Sequence, residues 1–265
     1  MGSIARSYSY ISGMRGLFLF LSVLLVASCN KQFVATGYKF EEKKLTAGSP
    51  ADSTMLAVIR PYKDSLDKQM GEVLAISDTI LTKAGNPETD LGNLMCDLVL
   101  AQSRYYAQGK IPDVSKIDFT FLNPGGIRLP NLPKGNITLG RVMELMPFEN
   151  LIDIITVDGH TLDTLFNFMA AKGGWPVSGA RYKISNGKAV EVYIQGQPLD
   201  VNKQYTLAVS DYLAQGGDNC KALIPYPKLM LKKSLRDALI DGMKEINARG
   251  EHVKSIIDGR VQHAQ

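Results

Sequence analysis

The sequence predicts a single α+β domain with a mixed β-sheet flanked by helices. Strand-like apolar runs alternate with stretches of helical apolar spacing from Val73 onward, and an Asn186-Gly187 turn signal joins two short strand-like runs into an antiparallel hairpin. The chain is also long and apolar enough, at 265 residues and 45% hydrophobic, to bury a substantial core. Repeats and low-complexity runs are absent.

Residues 1–28 read as a signal peptide, with the apolar run Leu17 to Ala27 behind Arg6 and Arg15, too short to span as an anchor. The run ends Leu25-Val26-Ala27-Ser28-Cys29, which resembles a bacterial lipobox with Cys29 as the lipidated residue. An exported protein, lipid-anchored in the cell envelope, facing the periplasm or held on the outer membrane, is expected. Met14-Arg15 offers a more ordinary leader start than Met1. Residues 29–53 read as a polar tether, interrupted by Gly37, Gly48 and Pro50. Residues 54–72 read as a linker helix: Met55, Ile59, Tyr62, Leu66 and Met70 recur at helical spacing across Pro61. Packing on its own domain is the plainer expectation for this helix, contact with a partner the other.

Residues 73–262 form the expected domain. Strands are predicted at Val73 to Ile76, Phe119 to Leu122, Leu151 to Val157 and Thr206 to Val209, with the hairpin pairing Arg181 to Ile184 against Val190 to Ile194. Helices are predicted at Leu91 to Gln108, Thr138 to Leu145, Thr161 to Ala171 with Thr161 as cap, and Ser234 to Arg249.

Three ordered blocks point to a ligand. Asn123-Pro124-Gly125-Gly126-Ile127-Arg128 follows a strand run; its glycines let backbone approach a bound group, and its arginine offers forked donors suited to carboxylate or phosphate. Met146-Pro147-Phe148 follows, then Asp211-Tyr212-Leu213-Ala214-Gln215-Gly216-Gly217-Asp218, adding aromatic faces, a carboxylate and a glycine loop. Taken singly, each residue has a plainer reading: Gly125-Gly126 as a turn, Phe148 as core, Tyr212 as a loop anchor, and Asp218 as a group satisfying turn amides.

Together with Glu88-Thr89-Asp90-Leu91-Gly92-Asn93-Leu94-Met95-Cys96-Asp97, these blocks resemble the C-terminal, substrate-binding domain of the 5′-nucleotidase family, from about Val73 to Val261. The resemblance implies that Phe148 and Tyr212 sandwich a nucleobase, that Asp218 accepts from ribose hydroxyls and that Asn123 and Arg128 face the phosphate, with Gly125, Gly126 and Gly217 among the substrate-binding residues. Three features depart from the family pattern, one of them Tyr212, which stands where members typically have phenylalanine and preserves stacking. Leu81 to Pro87 lacks an arginine that members usually carry there, leaving Lys83 as a point charge, and Pro124 replaces a glycine and restricts Asn123 to extended conformations.

In that family the chemistry belongs to a two-metal phosphoesterase domain, for which the residues between Cys29 and Val73 leave no room. Asp158-Gly159-His160 imitates a metal-ligand opening, but it lies between a strand run and a helix run and reads as a turn and cap. No catalytic residue, metal site or cofactor is therefore assigned to this chain; divalent metals are expected only on a partner. The expected function is nucleotide or nucleoside recognition for a nucleotidase-type hydrolase in nucleotide catabolism, with a separate metallophosphoesterase chain as possible partner. The alternative is a non-enzymatic nucleotide-capturing or scaffold lipoprotein. A net charge of +4 from dispersed lysines gives nucleic acid little support as a partner, and Lys39 to Lys44 and Lys232-Lys233 read as solvated. Cys96 and Cys220 are expected unpaired, Cys96 as a small buried hydrophobe.

Overall fold

A computed structural model describes residues 37–44, 46, 48–85 and 87–264. The leader, the lipobox and Cys29 lie outside the described residues. The chain divides into two units, Met1–Asp52 and Ser53–Gln265. In the first, residues 37–44 are exposed and form neither helix nor strand.

In chain order the second unit forms α1 (Ser53–Met70), β1 (Val73–Ser77), β2 (Leu81–Thr82), α2 (Asp90–Tyr106), β3 (Ile117–Phe121), β4 (Asn131–Leu132), β5 (Gly135–Thr138) and α3 (Leu139–Leu145). It continues through β6 (Leu151–Asp158), α4 (Gly159–Ala171), β7 (Val177–Ser178), β8 (Ala180–Ser185), β9 (Lys188–Ile194), β10 (Gln197–Pro198) and β11 (Gln204–Ser210). The last elements are α5 (Asp211–Ala214), β12 (Lys228–Ser234), α6 (Leu235–Ala248) and β13 (Val261–His263).

The central sheet has the order β12-β6-β11-β3-β7. Within it β11 runs parallel to β3, and the other neighbours are antiparallel. A second sheet, β10-β9-β8-β13, adds β13 in parallel to the β8–β9 hairpin. The mixed α+β architecture is the one the sequence predicts. The hairpin turns at Asn186 and Gly187, both at positive φ (49° and 73°), as a type I′ turn requires.

Alternation along β6 sorts its side chains onto two cores. Ile152 and Ile154 join the apolar faces of α2 and α6, while Ile155 and Val157 join α4 and the second sheet. Each helix has the spacing this demands: Leu91, Leu94, Met95, Leu98 and Val99 on α2, Leu162, Leu165, Phe166, Met169 and Ala170 on α4, and Leu235, Ala238, Leu239, Gly242 and Met243 on α6, all buried. Each fully buried leucine or phenylalanine contributes about 1.5–3 kcal/mol, so these stripes hold the helices far more firmly than local propensity does. Cys96 and Cys220 are free and buried, and burial pushes both thiols up, Cys220 to about 12.

Several expectations need correction. The cap of α4 is Asp158, not Thr161: its Oδ1 accepts from the Thr161 amide at 2.8 Å, because a carboxylate one turn earlier reaches the free helix N–H groups. Its pKa is held down first by the Tyr226 hydroxyl. Thr138 ends β5 and caps α3 rather than lying in the helix. Helix α1 does not pack on the domain along its length; none of its residues is buried, and Met55, Leu56, Val58, Ile59, Tyr62 and Leu66 are all exposed. Trp175 is a core residue, 5% exposed and packed on Phe121 and Phe168. Lys233 is half-buried, over the Tyr106 ring.

The block Glu88 to Asn93 is scaffold. Thr89 caps α2 through Gly92 N, and Glu88, 8% exposed, accepts from Asn93 Nδ2 at 2.6 Å and from the amides of Asp258 and Gly259 at 3.0 Å each. One buried carboxylate thus ties the C-terminal segment to the start of α2. Glu88→Ala is expected to lower the stability of the chain by about 3 kcal/mol, measured by denaturant unfolding; a loss within experimental error would remove the tie from the account.

Candidate functional site

Strand β3 leads into Asn123 and strand β11 leads into α5, and because the two strands are parallel neighbours, both loops emerge at the same sheet edge. Strand β6 is antiparallel to β11, with Ile152 opposite Ser210, so the segment before Leu151, which carries Phe148, reaches that edge from the other direction. The topology therefore gathers three blocks that lie far apart in sequence.

The first loop is closed by its own backbone. Pro124 opens a short 3-10 turn, the Gly126 amide donates to Asn123 O at 3.0 Å and Ile127 N to Pro124 O at 3.3 Å. Asn123 is extended (φ −76°, ψ 134°), as a residue before proline should be. A Cβ on Gly126 would lie 3.0 Å from Asn123 Oδ1, so glycine lets the Asn123 side chain fold over the loop. The Gly126 N–H is spent within the turn rather than offered outward. Arg128 N donates to Leu145 O at 3.0 Å, and Lys83 Nζ, from the segment lacking the expected arginine, donates to Ile127 O at 2.8 Å.

The second loop folds on a left-handed path, with Gly216 at φ 92° and Asp218 at φ 48°. Tyr212 lies on Gly217 so closely that a Cβ there would come within 2.5 Å of the ring. Tyr212 Oη donates to Asp218 Oδ1 at 2.7 Å and accepts from Asp218 N at 3.1 Å. Asn123 Nδ2 donates to Asp218 Oδ2 at 2.6 Å, which joins the two loops.

Phe148 is 41% and Tyr212 43% exposed, whereas Phe119, Phe121 and Phe166 are fully buried. Arg128 lies over the Phe148 ring, 5.8 Å from its centroid, with Nη1 3.4 Å from Gly125 O. Contacts thus run from Phe148 through Arg128, Gly125 and Asn123 to Asp218, Tyr212 and Gly217. The structure brings all the sequence-predicted site residues to one edge except Cys29, which lies outside the described residues.

Two residues without a motif adjoin this edge. Arg236, in the first turn of α6, donates to Pro147 O at 3.2 Å and pairs with Glu149 at 3.0 Å, bracketing Phe148. Asp153 in β6, 3% exposed, leaves Oδ1 buried without a partner. Burial raises its pKa, and Asp211, next to Tyr212, adds to the rise. A charge inside the apolar run Leu151 to Val157 was the sequence signal for Asp153; Arg236 had none.

Among the described residues no group of three or more His, Cys, Asp or Glu side chains could hold a metal ion, and no helix is long and apolar enough to cross a membrane. A cleft of about 710 Å³ lies elsewhere, between β8, β9 and the C-terminal segment. Its charges largely pair internally, Arg260 with Asp97 and Asp258, and Lys183 with Glu191. It contains none of the site residues.

The fold gathers three loops at one edge of a mixed sheet, and comparison with known proteins gives it a family. The 5′-nucleotidase, C-terminal domain family matches residues 69–224, and the chain belongs to that family. The chain is 27% identical over 190 residues to the 5′-nucleotidase of Vibrio vulnificus, covering 67% of this chain and 30% of that protein. It is 29% identical over 187 residues to Protein UshA of Yersinia enterocolitica, again 67% of this chain and 30% of that protein. The 5′-nucleotidase precursor of Thermus thermophilus has a similar solved structure, with TM-score 0.66 and 25% identity over 82% of this chain and 44% of that one. The chain therefore spans under half the length of these relatives.

The raised Asp153 pKa fixes the sign of a pH effect. Above the ordinary aspartate range the unfolded chain has released this proton while the folded chain still holds it, so the folded state loses stability as pH rises through that interval. The stability of Asp153→Asn relative to the native chain is expected to increase as pH rises from below to above the aspartate range, measured by thermal unfolding at a series of pH values. A pH-independent difference would mean that the carboxyl is not held protonated by its surroundings.

Proposed function

We propose that this chain recognises a nucleoside or nucleotide at the edge formed by the β3, β6 and β11 loops. In this reading Phe148 and Tyr212 stack on the base, Asp218 with the Gly217 turn accepts from sugar hydroxyls, and Arg128 with Asn123 and the Gly125-Gly126 turn faces the phosphate. The observation that carries the reading is the convergence of two half-exposed aromatic rings, a carboxylate and an exposed guanidinium on one sheet edge. Membership of a family named for 5′-nucleotidase supports it.

Hydrolysis, in the same reading, requires metals and water activation from a separate metallophosphoesterase chain, and this chain supplies specificity in nucleotide catabolism. We also propose that the chain is exported and anchored in the envelope through lipid on Cys29, with residues 29–53 as tether.

Calorimetric titration of the purified chain with adenosine and AMP tests this directly. Adenosine binding is expected, weakened about tenfold or more by Tyr212→Ala through lost stacking, and Arg128→Ala is expected to lower the AMP-to-adenosine affinity ratio. Binding of neither ligand by the folded chain would contradict the reading and leave the scaffold alternative.

A further inference from the structure

The Asp218 carboxylate, assigned above to the sugar, is already engaged by the protein. Its Oδ1 accepts from Tyr212 Oη at 2.7 Å and its Oδ2 from Asn123 Nδ2 at 2.6 Å. An ionised carboxylate is acceptor-only, so both bonds are charge-assisted and stronger than neutral ones. Tyr212 is committed to this contact from both sides: its hydroxyl also accepts from Asp218 N at 3.1 Å, and its ring rests on Gly217 where no Cβ would fit. The left-handed Gly216 and Asp218 curl the loop so that a tyrosine six residues upstream reaches its own carboxylate.

We infer that the Tyr212 hydroxyl is an internal competitor for sugar hydroxyls at Asp218, and so sets how sharply the site distinguishes ribose from sugars without hydroxyls. A ribose diol donates to oxygens already engaged by Tyr212 and Asn123, and so gains less there than at a carboxylate with all its acceptor positions open. A dideoxy sugar leaves the internal bonds in place and gives up nothing at Asp218. The Tyr212 to Asp218 bond is therefore subtracted from the affinity for hydroxyl-bearing sugars alone, and discrimination is blunted. The ring stacks while the hydroxyl competes with the sugar, so the two functions of Tyr212 separate by substitution.

This inference rests on the nucleoside reading, and its test distinguishes the two. Titration of the purified chain and of Tyr212→Phe with adenosine and with 2′,3′-dideoxyadenosine gives an affinity ratio for each protein. The ratio is expected to rise by about tenfold in Tyr212→Phe, the worth of one charge-assisted hydrogen bond released for the sugar. An unchanged or lower ratio overturns the inference while leaving nucleoside binding intact. Binding of neither nucleoside overturns the nucleoside reading and the sugar selection with it. The contact itself is checked without ligand by carbon-13 tyrosine resonances: the bond to Asp218 raises the Tyr212 phenol pKa, and Asp218→Asn is expected to bring it down. A phenol that titrates alike in both proteins would remove the contact on which the competition depends.

Discussion

The parallel pairing of β3 with β11 is the constraint on which the site depends. Thr206 pairs with Ile117, Leu207 with Phe119 and Ala208 with Thr120, and the buried Thr120 hydroxyl donates to Ala208 O at 2.7 Å. Parallel neighbours end on the same side, so the Asn123 loop and the Tyr212 loop emerge together although the residues joined by their hydrogen bond, Asn123 and Asp218, are 95 positions apart. An antiparallel β11 would send α5 to the opposite edge and part Asp218 from Asn123. Antiparallel β6 completes the arrangement by delivering Phe148 to the same edge from its entry side.

Around this edge the supports are layered. The two apolar cores fix the sheet between α2 and α6 on one face and α4 with the second sheet on the other. Arg236 and the Leu235 amide, which donates to Asn150 O at 2.9 Å, hold the Phe148 segment from the start of α6. The Arg128 amide binds Leu145 O and links that segment to the first loop. Aromatic rings can stay half exposed here because backbone hydrogen bonds and a charged clamp position them, rather than burial. Asp153, buried and incompletely satisfied behind α5, is a cost carried by this edge, and its charged form is disfavoured further by Asp211.

Much of the fold was legible because periodicity reports burial. The stripes on α2, α4 and α6 and the apolar strands β3, β6 and β11 were all visible, with ends shifted by a residue or two. Short edge pieces such as β4, β7, β10 and β13 were not, since two or three residues carry no period and owe their pairing to distant partners. Strand β12 was missed for another reason: it is lysine-rich, and a bulge near Lys232, at φ 57°, interrupts its register. The exposed α1 shows the limit of an amphipathic pattern, which states that a helix has an apolar face and not what covers it. The site blocks were legible through order and residue type; the Tyr212 to Asp218 bond and the Arg236 clamp were not, because both depend on loop geometry.

The central claim is that one sheet edge, assembled by β3, β6 and β11, is the ligand surface. Proton–nitrogen correlation spectra of the chain titrated with adenosine test it most directly. Amide shifts are expected to concentrate at 123–128, 148–150 and 211–218, with the cleft around Arg181 and Arg260 unmoved. Shifts confined to that cleft, or scattered without relation to the three loops, would contradict it.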